Sequence, residues 1–274
     1  MEKETVINNI KIYNTRMDAS IEDKLWFLRQ NIDADIYVDF GCANGNLLRH
    51  MYYKDPSKIY IGYDNNSDML SIARDYCKNT RIIFIYNFEN IKKYIDQKYS
   101  GKKICLILSS VLHEVYSYSK NKDDIKNFWN MIKKNLNPDY IAIRDMMHGF
   151  DPNVCLKKYQ LRELLNISDE QCAKVRHRAN QKQVIDFEKI YGSITCYRNL
   201  THFLLKYKYV ENWDREVREN YFPYEPVNIQ KELSQFKVAY EKKYCLPYLY
   251  ELFKKDFGID FLGYTHYNFL FKKL

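Results

Sequence analysis

"YVDFGCANGN", residues 37–46, runs from strand-like text straight into a loop that carries two glycines. The chain holds only 8 Gly in 274 residues, so two of them four positions apart point to a demand on the backbone. A glycine there lets main chain approach a ligand with no Cβ in the way, and Ala43 between Gly41 and Gly45 is nearly as small. The text on either side decides the fold. "IYVDF" (36–40) reads as a short buried strand, and "NLLRHMYY" (46–53) as the helix that follows the loop.

The same unit repeats. "KIYIGYD" (58–64) is a second strand, followed by the helix "SDMLSIARDYCK", which Ser67 would cap. "RIIFIY" (81–86), "KICLILSS" (103–110) and "YIAIRDMM" (140–147) are three more strands, with helices near 89–98 and over "KDDIKNFWNMIKKNL" between them. That last helix has acids in its first turn and lysines in its last, and stops at Asn137-Pro138. "SIEDKLWFLRQNI", with Ser20 and Asp23 at capping-box spacing, reads as a leading helix. Apolar strands alternating with helices predict an α/β fold, a Rossmann-like, doubly wound and mostly parallel sheet covered on both faces.

After Asp151-Pro152 the pattern changes. Residues 151–256 read as a mainly helical insertion ("LKKYQLRELL", "WDREVRENYF", "NIQKELSQFKVAYEKKY"), and "THYNFLFKKL" alternates like a strand that could return to the sheet edge. The expected organisation is a core of residues 1–150 plus 257–274, with 151–256 inserted after the fifth strand. The insertion leaves from the carboxyl end of that strand, where ligands of such sheets sit, and so would form a lid that binds substrate.

Composition sets the outer limits. The chain is 46% hydrophobic and 28% charged, the ordinary globular range. No apolar run reaches the roughly 18 residues that span a bilayer, and "MEKETVINNI" does not read as a signal peptide. The 7 Cys are scattered with no C-x-x-C pair, which argues against a disulfide framework or a Cys-rich zinc site. These features predict a cytoplasmic protein without a membrane partner and without a metal. The net charge of +8 permits an anionic partner such as RNA without demanding one.

In an open parallel sheet, ligands lie outside the carboxyl ends of the strands where strand order reverses, and the glycine loop is such a place. Asp64 closes the second strand, and a carboxylate there can accept hydrogen bonds from both hydroxyls of a ribose. A nucleoside-bearing cofactor would therefore lie across the two strand ends. It is not a dinucleotide: of the three positions in G-x-G-x-x-G, only Gly41 matches, with Ala43 and Asn46 at the others. G-x-x-x-x-G-K-[ST] is absent as well. Taken singly, the glycines and the two aspartates could equally serve turns and helix caps.

"VDFGCANG" resembles the first motif of the class I S-adenosylmethionine-dependent methyltransferases, with Asp39, Gly41, Ala43 and Gly45 in place. "YIGYDNN" resembles the second motif, and "LILSSVLHEV" the segment at the end of the fourth strand. The resemblance covers residues 36–147 and the final strand. It implies S-adenosylmethionine as cofactor, its amino-acid tail beside Gly41 and Gly45 with Asp39 orienting the loop. It further implies Asp64 on the ribose, Asn65 beside the adenine, Asn87 on the adenine amine, Phe88 packed on the ring, and Ser109 near the methyl group.

Methyl transfer asks the protein for alignment and, where the nucleophile is protonated, for a base. His113 and Glu114 in "SSVLHE" are the catalytic candidates: the histidine as base for an oxygen or nitrogen nucleophile, the glutamate as its support or as a holder of the cofactor's ammonium. Arg144 and His148 either face the substrate or support the fold. On a helix, Lys174, Arg178 and Lys182 would form one i, i+4 row able to grip phosphates, or simply a solvated face. The resulting expectation is a methyltransferase acting on RNA or another nucleotide-bearing substrate. The alternatives are a small-molecule methyltransferase and an inactive cofactor-binding scaffold.

Overall fold

The computed structural model describes residues 20–150 and 169–274. Two expectations, the first nineteen residues of the core and the helix over "LKKYQLRELL", lie outside the described residues.

The elements are α1 (Ile21–Lys24), β1 (Ile36–Phe40), α2 (Asn46–Lys54), β2 (Ile59–Tyr63), α3 (Ser67–Tyr76), β3 (Ile83–Ile85) and α4 (Glu89–Lys98). They continue with β4 (Ile104–Ser109), α5 (Leu112–Ser117), α6 (Lys122–Asn130) and β5 (Tyr140–Phe150). Beyond the gap come α7 (169–178), α8 (Gln181–Tyr191), α9 (Tyr197–Lys206), α10 (Trp213–Glu216), α11 (Pro226–Glu232), β6 (Phe236–Tyr244), α12 (Pro247–Phe257) and β7 (Gly263–Lys273). The strands form one seven-stranded sheet in the order β3-β2-β1-β4-β5-β7-β6. The first five are mutually parallel, whereas β7 runs antiparallel to both β5 and β6.

Each core strand is apolar on both sides because both faces are covered. Ile36, Val38, Leu106 and Leu108 point to one side, where Ile91, Ile95 and Trp129 pack on them. Tyr37, Cys105 and Ile107 point to the other, against Phe27, Leu48 and Met51. A separate core, with Phe187, Leu200, Phe203, Phe253 and Phe261 inside it, fills the stretch beyond residue 169.

Four local expectations need correction. The leading helix is one turn, Ile21–Lys24, followed by a 3-10 turn at Trp26–Arg29, and the Ser20 side chain makes no capping bond. Trp26 and Phe27 are pulled into the core there, which bends the segment away from α-helical register. The cap of α3 is Asn66, one residue before Ser67; its Oδ1 accepts from the amides of Asp68 and Met69. Residues 236–244, expected to be helical, form β6, because Val238, Tyr240 and their neighbours pair along β7. The final strand is interior, between β5 and β6, rather than at the edge. Among the described residues, no helix is long and apolar enough to cross a membrane.

Candidate functional site

The carboxyl ends of β1, β2 and β4 meet at the glycine loop. Gly41 (φ +77°) and Gly45 (φ +74°) both occupy the left-handed region. A Cβ on Gly41 would lie 2.9 Å from Val111 Cγ2, and one on Gly45 2.8 Å from Phe84 Cζ. The glycines are thus required first by the chain's own backbone and packing, and only through that by a ligand. Gly41→Ala is expected to cost about 1–2 kcal/mol from backbone conformation alone, with the Val111 clash in addition. Thermal unfolding measures it, and an unchanged midpoint would contradict this account.

Asp64, at the tip of β2, ties the loop down. Its Oδ2 accepts from Ala43 N at 2.9 Å and its Oδ1 from Asn66 N at 2.9 Å. The amides of Gly41 and Cys42 both donate to the Tyr63 carbonyl, at 2.8 and 2.9 Å, which fixes the two strand tips together. Ala43 (φ 45°) and Ser110 (φ 56°) are non-glycine residues in the left-handed region, one on each side of this junction. Strain of that kind persists where the surroundings enforce it, often at ligand sites.

Beside the loop is a small crevice lined by Lys24, Asp39, Gly41, Ala43, Asn46 and Ser109, among others. The Ser109 hydroxyl is buried there without a hydrogen-bond partner, an acceptor and donor available to a ligand. Asp39 is 3% exposed. Burial pushes its carboxyl up to about 7, against the nearby Lys24 ammonium, which lowers it, and with Asp64, which raises it. The folded value lies above the unfolded one of about 3.9, so this group favours folding at low pH and loses that contribution as pH rises through 7. Asp39→Asn is therefore expected to gain stability over wild type between pH 5 and 8, by up to roughly 4 kcal/mol. Melting midpoints across that range test the sign; parallel curves for the two proteins would refute it.

Other cofactor candidates sit less openly. Asn65 is exposed next to Asp64. Asn87 is exposed but its Oδ1 already accepts from Glu89 N at 3.0 Å, so it begins α4. Phe88 is 5% exposed and packed edge-on against Phe40 and Tyr63, with ring centroids 5.2 Å away in each case. It is held in the core by these contacts.

Next to the crevice lies a cavity of about 280 Å³, with Lys24 in the wall of both. Its polar end is built on α5. β5 outruns β4, since Ser109 pairs with Arg144, and this places Asp145 beside the first turn of α5. Asp145, fully buried, accepts from His113 N at 3.0 Å and sits 2.7 Å from His113 Nδ1. Tyr224 OH donates to it at 3.4 Å. With Nδ1–H donating to the carboxylate, a neutral His113 presents the lone pair of Nε2 toward the cavity. Nε2 lies 4.0 Å from Glu219 Oε2. Arg215 Nη2 contacts Glu219 Oε1 at 2.7 Å and Glu114 Oε1 at 3.3 Å, and its Nη1 lies 3.4 Å from Glu216 Oε1. The Lys206 ammonium donates to the Glu216 and Glu219 carbonyls and lies 4.0 Å from the centre of the Tyr221 ring. The apolar part of the lining includes Leu204, Leu205, Leu246, Leu249 and Leu252.

The sequence reading brought His113 and Glu114 to this place but missed Asp145, Arg215 and Glu219. Two signals were legible: an Arg-Asp pair inside the apolar strand "YIAIRDMM", and Arg215 and Glu219 one helical turn apart. Arg144 lines the cavity and is bound to Asp23 at 2.5 Å and to Ser110 Oγ at 2.8 Å. His148 rests 3.6 Å from Glu225.

The basic row does not form. Asn180 caps a new helix, accepting from Lys182 N and Gln183 N, so Lys182 stands on α8 while Lys174 and Arg178 stand on α7. Lys174 pairs with Glu170 at 2.6 Å, and the Arg178 guanidinium lies against Gly258.

No protein-family model and no curated protein sequence matches the chain. Solved structures do. An S-adenosylmethionine-dependent methyltransferase from Anabaena variabilis is similar over 99% of this chain and 98% of that one, at 10% identity and a TM-score of 0.50. The methyltransferase domain of bacterial CtHen1 (94% and 98% covered, 15% identity, TM-score 0.42) and the plantazolicin methyltransferase BpumL (97% and 87%, 11%, 0.44) are also similar. Strand order, glycine loop and the Anabaena likeness agree: the chain has the class I methyltransferase fold.

Proposed function

We propose that the protein transfers a methyl group from S-adenosylmethionine to a nitrogen or oxygen of a small molecule held in the 280 Å³ cavity. The observation that carries this reading is the Asp145–His113 pair, buried at the end of β4 and β5 and aimed into a cavity that adjoins the glycine-loop crevice. The crevice suits the cofactor: a ribose acid at Asp64, left-handed backbone at Gly41 and Gly45, and the unpartnered Ser109 hydroxyl. Bound there, the sulfonium supplies an electrophilic methyl group. The chain's own residues do the rest. Asp145 holds His113 in one tautomer, and His113 Nε2 takes the acceptor's proton as the nucleophile aligns. Glu114 and Arg215 form part of the cavity's polar wall, and the leucines of α9 and α12 exclude water.

Residues 204–252 supply much of the cavity wall, which supports a lid and substrate-binding role for the 151–256 stretch. The size of the cavity, at the low end for small-molecule sites, favours a metabolite over RNA. So does the broken basic row. The test is transfer of label from methyl-tritiated S-adenosylmethionine into fractionated small molecules, RNA and protein. Label in small molecules is expected; label in RNA alone would overturn the acceptor, and label in none the activity.

A further inference from the structure

We infer that His266 is a second substrate-facing residue, a hydrogen-bond donor, and that the methyl acceptor is a hydroxyl group. This rests on the methyl-transfer reading of the same cavity and specifies its substrate.

His266 stands on β7 opposite Met146 of β5, the residue that follows Asp145. It lines the same cavity as His113. Its Nδ1 lies 2.8 Å from the Thr265 hydroxyl, whereas Nε2 has no hydrogen-bond partner among the described residues. Thr265 decides which nitrogen carries the hydrogen. That side chain is fully buried, and its oxygen already accepts from Leu246 N at 3.4 Å. Its own hydrogen needs an acceptor too. The candidates beside it are His266 Nδ1 and the Cys245 sulfur, and sulfur is a weak acceptor. The hydroxyl therefore donates to Nδ1, which puts the ring hydrogen on Nε2. The ring stays neutral. Burial holds it well below the usual histidine range, and Arg144, His113 and Lys24 act in the same direction.

The two histidines of the cavity are thus fixed in opposite tautomers. His113 offers a lone pair at Nε2 because Asp145 takes the hydrogen on Nδ1. His266 offers an N–H at Nε2 because Thr265 supplies the hydrogen that Nδ1 accepts. A hydroxyl answers both with one atom, donating to the first ring and accepting from the second. An aliphatic ammonium has no lone pair for His266, and a carboxylate has no hydrogen for His113.

The step balances. His113 Nε2 takes the hydroxyl proton while the His266 N–H steadies the charge that develops on oxygen. The O–CH₃ bond forms as the S–CH₃ bond breaks, and the sulfur keeps the electron pair as a neutral thioether. The product is a neutral methyl ether, and His113 returns its proton to water.

The first test reads the tautomers. Long-range ¹H–¹⁵N correlation spectra of the full chain, labelled at histidine and assigned with His113→Gln and His266→Gln, are expected to show the bare nitrogen at Nε2 in His113 and at Nδ1 in His266. A bare Nε2 in His266 would overturn the donor. The second test reads the bond made by the wild type. Label passed from methyl-tritiated S-adenosylmethionine to the small-molecule fraction is expected to survive mild alkali and to leave as methyl iodide in hydriodic acid, as an ether's methyl does. Release by alkali, the mark of an ester, or retention through hydriodic acid, the mark of an N-methyl product, would overturn the hydroxyl. His266→Leu is expected to slow labelling roughly 10- to 100-fold, with most of the rate kept in His266→Gln, whose amide still donates. S-adenosylhomocysteine affinity, read by calorimetry, should be unchanged in both, because His266 does not line the glycine-loop crevice. A wild-type rate in the leucine variant would overturn the assignment. Absence of label from every fraction would strike out methyl transfer itself, and the histidine spectra would still decide whether the donor exists.

Discussion

His113→Ala is expected to lower kcat by about 10²- to 10⁴-fold while leaving the affinity for S-adenosylmethionine nearly unchanged. The side chain lies in the cavity wall and not in the glycine-loop crevice, so its loss removes the proton acceptor without touching the cofactor's contacts. Asp145→Asn should reproduce most of this loss by a different route. An asparagine amide can donate to Nδ1, which forces the ring hydrogen onto Nε2 and leaves no lone pair toward the acceptor. A merely structural Asp145 would lower the melting midpoint and leave kcat per folded molecule intact. The pattern that contradicts the assignment is wild-type kcat in His113→Ala, measured on protein shown to be folded.

Asp64→Ala is expected to weaken S-adenosylmethionine binding by roughly 100-fold or more. Two hydrogen bonds from ribose hydroxyls to a charged acceptor carry an effect of that order. The substitution also releases Ala43 N and Asn66 N, so the glycine loop loses its tie to β2. Asp64→Asn separates the two causes. It keeps one acceptor oxygen for the loop while losing charge and half the ribose contact, and should fall between wild type and alanine. Calorimetric titration gives the comparison. Absence of binding by the wild type would mean the fold has been kept and the cofactor lost; wild-type affinity in Asp64→Ala would place the ribose elsewhere.

The alternating strands and helices from residue 36 to 147 were legible because each strand is apolar and bounded by turn chemistry. Hydrophobic pattern and local propensity agree there, as in Ile36–Phe40 and Ile104–Ser109. The crevice beside the glycine loop was legible for the same reason, since Asp39 and Gly41 stand at a strand end fixed by that pattern. The rest depended on distant partners. β6, "FKVAYEKKY", is so rich in exposed positions that nothing local distinguishes it from a polar helix. Only pairing with β7 makes it a strand. Asp145 became readable as His113's partner only once β5 was seen to outrun β4. Phe88 followed the motif in sequence but was claimed by Phe40 and Tyr63 in space.

The place of β7 has a consequence for how the molecule is made. β5 and β6 share no ladder except through it, and their residues lie close to a hundred positions apart. Until β7 slots between them, each offers a naked row of amides and carbonyls to any other chain in reach. Completing the sheet is thus a slow, long-range closure, and crowding at that moment should favour tangling between neighbours. Tyr267 of that strand also hydrogen-bonds Tyr224, which in turn donates to Asp145, so the histidine's anchor is finished in the same late event.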